Sequence, residues 1–194
     1  MLLFYSMEQS GVKLKVLCVF QSFHVIFLKT KVIKVLVEEM NKKFMQRAIE
    51  LGRESVRSGH GGPFGCVIVK EGKVIGEGFN RVTSNSDPTA HAEVVAIRNA
   101  CANLNDFQLT GCEIYTSCEP CPMCLGAIYW ARPDRVYFAA SRRDAAKAGF
   151  DDDFIYNEIE KSPSDRSIEM ISIERESAIS LFDEWIQKVD RIDY

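Results

Sequence analysis

The residues of this chain best suited to chemistry fall in two short fragments, His91-Ala92-Glu93 and Pro120-Cys121-Pro122-Met123-Cys124. Thiolate and imidazole are the ligands zinc prefers, and three protein ligands with an open fourth position mark a catalytic zinc site. Cys121 and Cys124 are three residues apart, so on the first turn of a helix they face the same way. Pro122 suits the first helical position, which makes Cys121 the N-cap of that helix. There the positive end of the helix dipole favours the thiolate that a metal needs. His91 and Glu93 would diverge by about 200° on an ideal helix. Their helix must therefore begin at about His91, after the turn at Pro88, if both are to reach one metal. Each fragment alone has another reading. Cys-x-x-Cys is also a redox pair, His-Ala-Glu occurs in any helix, and a structural four-ligand zinc site would recruit Cys118.

Together the fragments match the signature of zinc nucleobase deaminases, in which a glutamate beside the metal carries protons and is not a ligand. Bound zinc lowers the pKa of water from about 15.7 to roughly 7, which supplies hydroxide at neutral pH. Two thiolates and a neutral His91 leave the site near zero formal charge, so Glu93 can take the water proton. It would then pass protons to a ring nitrogen and to the departing amine.

From Met40 to Tyr194 the chain resembles the guanine-deaminase branch of the cytidine-deaminase-like superfamily. The likeness to the wider superfamily runs through Gly61-Gly62-Pro63-Phe64-Gly65, Asn80, Asp87-Pro88-Thr89-Ala90-His91-Ala92-Glu93 and Thr116-Ser117-Cys118-Glu119-Pro120-Cys121-Pro122-Met123-Cys124. The likeness to the guanine branch runs through Ala127-Ile128-Tyr129-Trp130-Ala131-Arg132, Ala148-Gly149-Phe150-Asp151-Asp152 and the aromatic C-terminus Tyr194. The resemblance covers about four-fifths of the chain, leaves out residues 1–39, and shows no departure from the motif at the metal. It implies one zinc per chain on His91, Cys121 and Cys124, attack at C2 of guanine, and release of xanthine and ammonia in purine catabolism or salvage. It implies Asp152 as a second proton carrier at the amino edge and Asn80 as a hydrogen-bond partner of the purine. Phe64 and Trp130 become apolar walls, and Ala92 and Tyr194 complete the substrate contacts. It also implies a homodimer whose C-terminal segment, 160–194, crosses to the partner and places Tyr194 over the neighbouring substrate. Read as residues alone, Phe64 and Trp130 are ordinary core aromatics. Asp152 is part of a solvated acidic run or a helix start, Asn80 is a turn residue, and Tyr194 is a frayed end.

The elements that must position these groups alternate in type. Asn41 is a fair N-cap for a helix reaching Gly59, with Phe44, Ala48, Leu51 and Ser55 on one face. Cys66–Val69 and Val74–Phe79 flank Glu71-Gly72 as a hairpin, and Ser84–Pro88 is a turn. Ala90–Ala102 reads as a buried helix, Cys112–Thr116 and Val136–Ala140 as interior strands, and Pro122–Ala131 as the helix between them. Ile168–Ile173 is a fifth strand, and Ala178–Val189, with Ile179, Phe182, Trp185, Ile186 and Val189 on one side, is the last helix. Glu160–Arg166, a polar stretch holding Pro163, is a hinge between core and tail. The pattern is a three-layer α/β/α domain of the cytidine-deaminase-like class, with a central mixed five-stranded sheet.

Composition narrows the partners. The chain has 194 residues, enough for one domain, with 46% hydrophobic and 26% charged residues, so it can bury a core. Its 24 Lys and Arg against 27 Asp and Glu give a net charge of -3. Lysines outnumber acids in the first 39 residues, so the body from Met40 onward is more acidic than the whole. An acidic body argues against a nucleic-acid binder, because neutralising phosphates needs a surplus of Lys and Arg. That weighs against a tRNA adenosine deaminase, the nearest rival, while the pocket residues weigh against a cytosine or other small-base deaminase. A non-catalytic zinc module is disfavoured by Glu93, which ligates nothing in this reading. Seven cysteines, an odd number with four crowded between Cys112 and Cys124, fit a reducing compartment better than a disulfide scaffold. The cytoplasm is therefore expected, with Cys18, Cys66, Cys101 and Cys112 as small buried hydrophobes. The uncharged run Val16–Leu28 is too short to span a bilayer, which takes roughly 20 residues, and Lys-Thr-Lys follows where a signal peptide would be cleaved. Residues 1–39 are expected to be a non-native or disordered extension ahead of a domain that starts at Met40, with a membrane-associating or partner-binding segment as the alternative.

Overall fold

The computed structural model describes residues 3–9, 12–18 and 24–193, with side chains from Val32 onward. The chain divides into two compact units, Met1–Ser141 and Arg142–Tyr194.

The first unit opens with strands β1 (Leu3–Gln9) and β2 (Val12–Cys18), paired antiparallel. Helix α1 then runs from His24 to Arg57. Residues 19–23 of the Val16–Leu28 run lie outside the described residues, as does the side chain of Cys18. Among the described residues no helix is long and apolar enough to cross a membrane. Asn41 is not an N-cap. The helix passes through it because Lys34, Leu36, Glu38, Glu39 and Met40 are good helix formers and no Gly or Pro interrupts them. Its carboxamide oxygen instead accepts from the Tyr115 hydroxyl at 2.8 Å. Every residue from Val32 to Met40 is exposed; burial begins at Phe44.

After α1 come β3 (Gly65–Lys70), β4 (Lys73–Phe79), the single turn α2 (Val82–Asn85), α3 (Ala92–Leu104), β5 (Cys112–Cys118), α4 (Pro122–Ala131) and β6 (Arg135–Ala140). The sheet order is β4-β3-β5-β6, with β3 antiparallel to both β4 and β5 and β5 parallel to β6. The period-2 alternation of a strand sends its side chains to two different layers. Cys66 and Ile68 of β3, with Cys112 and Ile114 of β5, meet Ala92, Ala96 and Ala100 of α3 and Ile128 of α4. Val67, Val69 and Tyr115 face the other way, onto Phe44, Ala48 and Leu51 of α1. A mixed sheet with helices on both faces is thus present. It has four strands, not the expected five.

The missing strand is Ile168–Ile173. It joins no ladder among the described residues, and Ile168, Ile171 and Ile173 are exposed. A short apolar run signals the need for a pairing partner without specifying where the partner is. The second unit contains α5 (Arg142–Lys147), α6 (Asp153–Glu160), a 3-10 turn (Pro163–Asp165) and α7 (Arg175–Gln187). None of its described residues is buried. The division at Ser141 falls ahead of the polar stretch Glu160–Arg166.

Small residues set α3 close to the sheet. A Cβ on Gly76 would stand 2.7 Å from both the Ala96 carbonyl oxygen and the Ala100 Cβ, and one on Gly78 would collide with the Ala92 carbonyl. Glycines on β4 against alanines on α3 therefore fix the height of the helix, and with it the place of His91 and Glu93 at its start. Arg47 ties α1 to the same strand with two bonds to the Glu77 carboxylate, at 2.8 and 2.7 Å.

Candidate metal centre

Two helix N-termini converge on one spot. His91 is the N-cap of α3, with extended backbone at φ -70° and ψ 156°. The helix begins one residue after it, which removes the divergence between His91 and Glu93 that an unbroken helix would impose. Cys121 is the N-cap of α4, Pro122 holds the first helical position, and the Cys121 sulfur accepts from the Cys124 amide at 3.5 Å. The positive end of α4 thus faces the Cys121 thiolate.

His91 Nδ1 lies 3.5 Å from Cys121 Sγ and 3.5 Å from Cys124 Sγ. The three candidate ligand atoms fall within 4.8 Å of one another. With Zn–S near 2.3 Å and Zn–N near 2.0–2.1 Å, a tetrahedral ion would set N···S edges of about 3.5–3.6 Å. The donor set and its spacing therefore fit zinc. The Cys121 thiol is held down to about 4, first by the hydrogen bond from Cys124, with His91 adding to it against the opposing effect of burial. The same bond and burial push Cys124 up, because it is the donor. Cys118 stands apart, its sulfur 3.6 Å from the Ser141 carbonyl oxygen.

Glu93 is buried beside the triad. Its Oε2 is 3.3 Å from Cys124 Sγ, and its Oε1 accepts from the Thr116 hydroxyl at 2.9 Å. Burial is the largest influence on its carboxyl and pushes the pKa up, opposed by hydrogen bonds from its own amide, Thr116 and Cys124. A carboxyl raised in this way suits a group that must both accept and return a proton.

Asn80 directly follows β4, with its side chain nearly enclosed. Its Oδ1 accepts from the Gly62 and Val82 amides, both at 3.2 Å. Two N–H donors identify that end of the carboxamide as the oxygen. The Nδ2 group is left to donate. Gly61 must be glycine for this, since a Cβ there would collide with Oδ1. The Asn80 amide donates to the Phe64 carbonyl at 3.0 Å and the Arg81 amide to the Ala90 carbonyl at 2.9 Å. Backbone bonds thereby gather Phe64, Asn80 and His91 at one end of the sheet. Phe64 is half-buried against the core, and Ala92 is fully buried, its methyl in the core under α3.

Three site candidates remain, Trp130, Asp152 and Tyr194. Trp130 is 63% exposed, and nine residues of helix carry it about 13 Å along the axis from Cys121. Asp152 belongs to the second unit, where it is the N-cap residue of α6. Tyr194 lies outside the described residues. Thr116 is the site residue the sequence reading passed over. The signal for it was available: it is the polar member of a strand face otherwise made of Cys112, Ile114 and Cys118.

Residues 38–140 match the family described as the cytidine and deoxycytidylate deaminase zinc-binding region. The chain is 53% identical over 154 residues to a guanine deaminase of Bacillus subtilis (strain 168), covering 79% of this chain and 99% of that protein. It is 39% identical over 124 residues to a tRNA-specific adenosine deaminase of Haemophilus influenzae, covering 61% of this chain and 71% of that one. The X-ray structure of guanine deaminase from Bacillus subtilis superposes with a TM-score of 0.77 at 54% identity, over 79% of this chain and 98% of that chain.

Proposed function

Because the chain belongs to the zinc-binding cytidine and deoxycytidylate deaminase family, we propose that it is a guanine deaminase, converting guanine and water to xanthine and ammonia. The observation that carries this reading is the 53% identity extending over 99% of a guanine deaminase. The tRNA enzyme is matched at lower identity over a smaller share. The catalytic domain on this reading is 40–194, acting on a free base in the cytoplasm as part of purine catabolism.

His91, Cys121 and Cys124 would hold one zinc, whose chemistry is to act as a Lewis acid that makes water acidic near neutral pH. Glu93 takes a proton from water at Oε2 as the water oxygen bonds to C2 and delivers it to the ring nitrogen next to C2; it then takes the proton of the new C2 hydroxyl and passes it to the amine, which leaves as ammonia as C2 becomes a carbonyl. Asn80 offers Nδ2 donors, which suits a base carrying the O6 and N7 acceptors of guanine. Ala92 contributes through its backbone N–H, one of the amides that a helix start leaves without an internal acceptor, since its methyl is buried. Phe64 walls the site. Trp130, Asp152 and Tyr194 enter the reading from the family resemblance.

Ammonia release should be measured from guanine, adenine, cytosine, their nucleosides and tRNA. Guanine is expected to be best by a wide margin. A strong preference for tRNA would transfer the assignment to the adenosine-deaminase branch.

The same reading makes the enzyme a homodimer with exchanged C-terminal segments. Three observations support it: among the described residues none of 142–193 is buried, Ile168–Ile173 joins no ladder, and β6 is an edge strand. Helix α7 also exposes Leu181, Phe182 and Ile186, an apolar stripe that needs a surface. Mixing two inactive chains tests the exchange. Glu93→Ala has a dead core and an intact tail, and a chain cut after Ile192 has an intact core without Tyr194. Co-refolding is expected to restore activity, because half the sites of a hybrid join an intact core to an intact tail. Hybrids that form and stay inactive would mean each tail serves its own chain.

A further inference from the structure

Glu93 arrives at the site from the first turn of α3, and nothing in its own torsions selects which carboxylate oxygen meets the substrate. The terminal torsion of a glutamate is broad and roughly two-fold. The selection is made from β5. Thr116 is fully buried in the sheet, in register with Cys66 on β3 and Phe138 on β6. It shares the α3 side of its strand with Cys112 and Ile114, where a valine would satisfy strand preference without burying a hydroxyl. That hydroxyl is spent on Glu93 Oε1, at 2.9 Å. The other oxygen, Oε2, is the one turned to Cys124 and the metal triad.

We propose that Thr116 is a positioning residue for the proton carrier: its hydroxyl, donated to Oε1, locks the Glu93 carboxylate so that Oε2 alone faces the reacting groups. With a lone pair of Oε1 engaged, Oε2 becomes the oxygen that takes a proton from water and returns it to the substrate, with no net change in charge or oxidation state over the cycle. The inference rests on the deaminase reading for the reaction, and on the two Glu93 contacts for the geometry. A hydrogen bond that orients a catalytic group from behind changes the rate of proton transfer and leaves binding of the base to other residues.

Thr116→Val and Thr116→Ser should be prepared in the full chain loaded with zinc. Thr116→Val is expected to keep one zinc per chain while kcat falls about 10- to 100-fold, the usual range for a residue supporting a metal site from behind, with KM within about threefold. Thr116→Ser, which keeps the hydroxyl and loses the methyl, is expected to hold kcat within about threefold of the parent. Crystals of Thr116→Val should show the Glu93 carboxylate rotated, with neither oxygen held on the β5 side. Zinc-replete Thr116→Val with kcat within threefold of the parent would overturn the proposal. So would zinc-replete Thr116→Ser with a tenfold loss, which would make the side-chain volume decisive; this arm stands even where the valine variant fails to fold. Rates are read on whichever base of the ammonia panel reacts. If none reacts, the functional reading fails, whereas the carboxylate orientation in the crystals still decides the positioning.

Discussion

Glu93→Ala is expected to fold, to bind one zinc, and to lose activity by several powers of ten. A single general acid or base contributes about 10²- to 10⁴-fold, and this one carboxylate serves both the activation of water and the protonation of the leaving amine. Among the described residues the group that could hold a metal is His91, Cys121 and Cys124, with no carboxylate in it. Zinc should stay because Glu93 is a neighbour of the ligands and not one of them. Its Oε2 meets Cys124 Sγ at 3.3 Å, a distance for a hydrogen bond to sulfur. The fold should survive because the lost side chain is an ionisable group that burial already disfavours in its charged form, although the Thr116 hydroxyl loses its acceptor. Turnover and metal content measured on the same preparation decide the matter. Activity within tenfold of the parent would remove Glu93 from the mechanism. Loss of zinc together with activity would make it part of the metal shell.

What could be read along the chain was whatever the chain encodes locally. Cys121-Pro122 announces a helix start because proline is favoured at the first helical position and disfavoured in a helix interior, and α4 begins there. His91 precedes α3 for a similar reason: the Pro88 turn ends just before it, and the capping residue has the extended backbone that lets His91 and Glu93 share a site. The hairpin at Glu71-Gly72 was legible from its turn, where both residues have positive φ. Other features depend on partners distant in sequence. Ile168–Ile173 has the composition of a strand, but a ladder needs a neighbour, and none of the described strands supplies one. Asn41 has the composition of a cap, but capping also requires that the residues before it refuse helix, and they do not. Thr116 needs both kinds of information at once: its face follows from alternation with Ile114, yet its partner emerges only when α3 is laid over β4 and β3 and brings Glu93 within 2.9 Å. Asn80 is similar, since the choice of which end of its carboxamide faces outward is made by two amides, Gly62 from the loop before β3 and Val82 from the start of α2.

Cys121→Ala is expected to lose most of its zinc, and with it all measurable deamination, while Cys118→Ala keeps a full complement. A site with three protein ligands has no reserve: removing one thiolate leaves His91 and Cys124, and two ligands do not define a tetrahedral position. Cys121 is also the ligand prepared for binding before any metal arrives. It sits at the N-cap of α4, accepts from the Cys124 amide, and has its thiol held down to about 4, first by the bond from Cys124 and then by His91. Alanine removes both the charge and the acceptor at that helix end, so the first turn of α4 should fray as the metal leaves. Cys118 would be the fourth ligand of a structural site, and it is the residue that tells the two designs apart. Its sulfur contacts the Ser141 carbonyl oxygen at 3.6 Å, and it is not a member of the group within 4.8 Å. A catalytic site must keep its fourth position open for the reacting water, so a cysteine there would close it. Metal content after gel filtration, read beside the circular dichroism of each variant, separates these cases. Full zinc in Cys121→Ala would refute the ligand set, and loss of zinc in a folded Cys118→Ala would convert the site to the four-ligand structural kind and withdraw the deaminase mechanism with it.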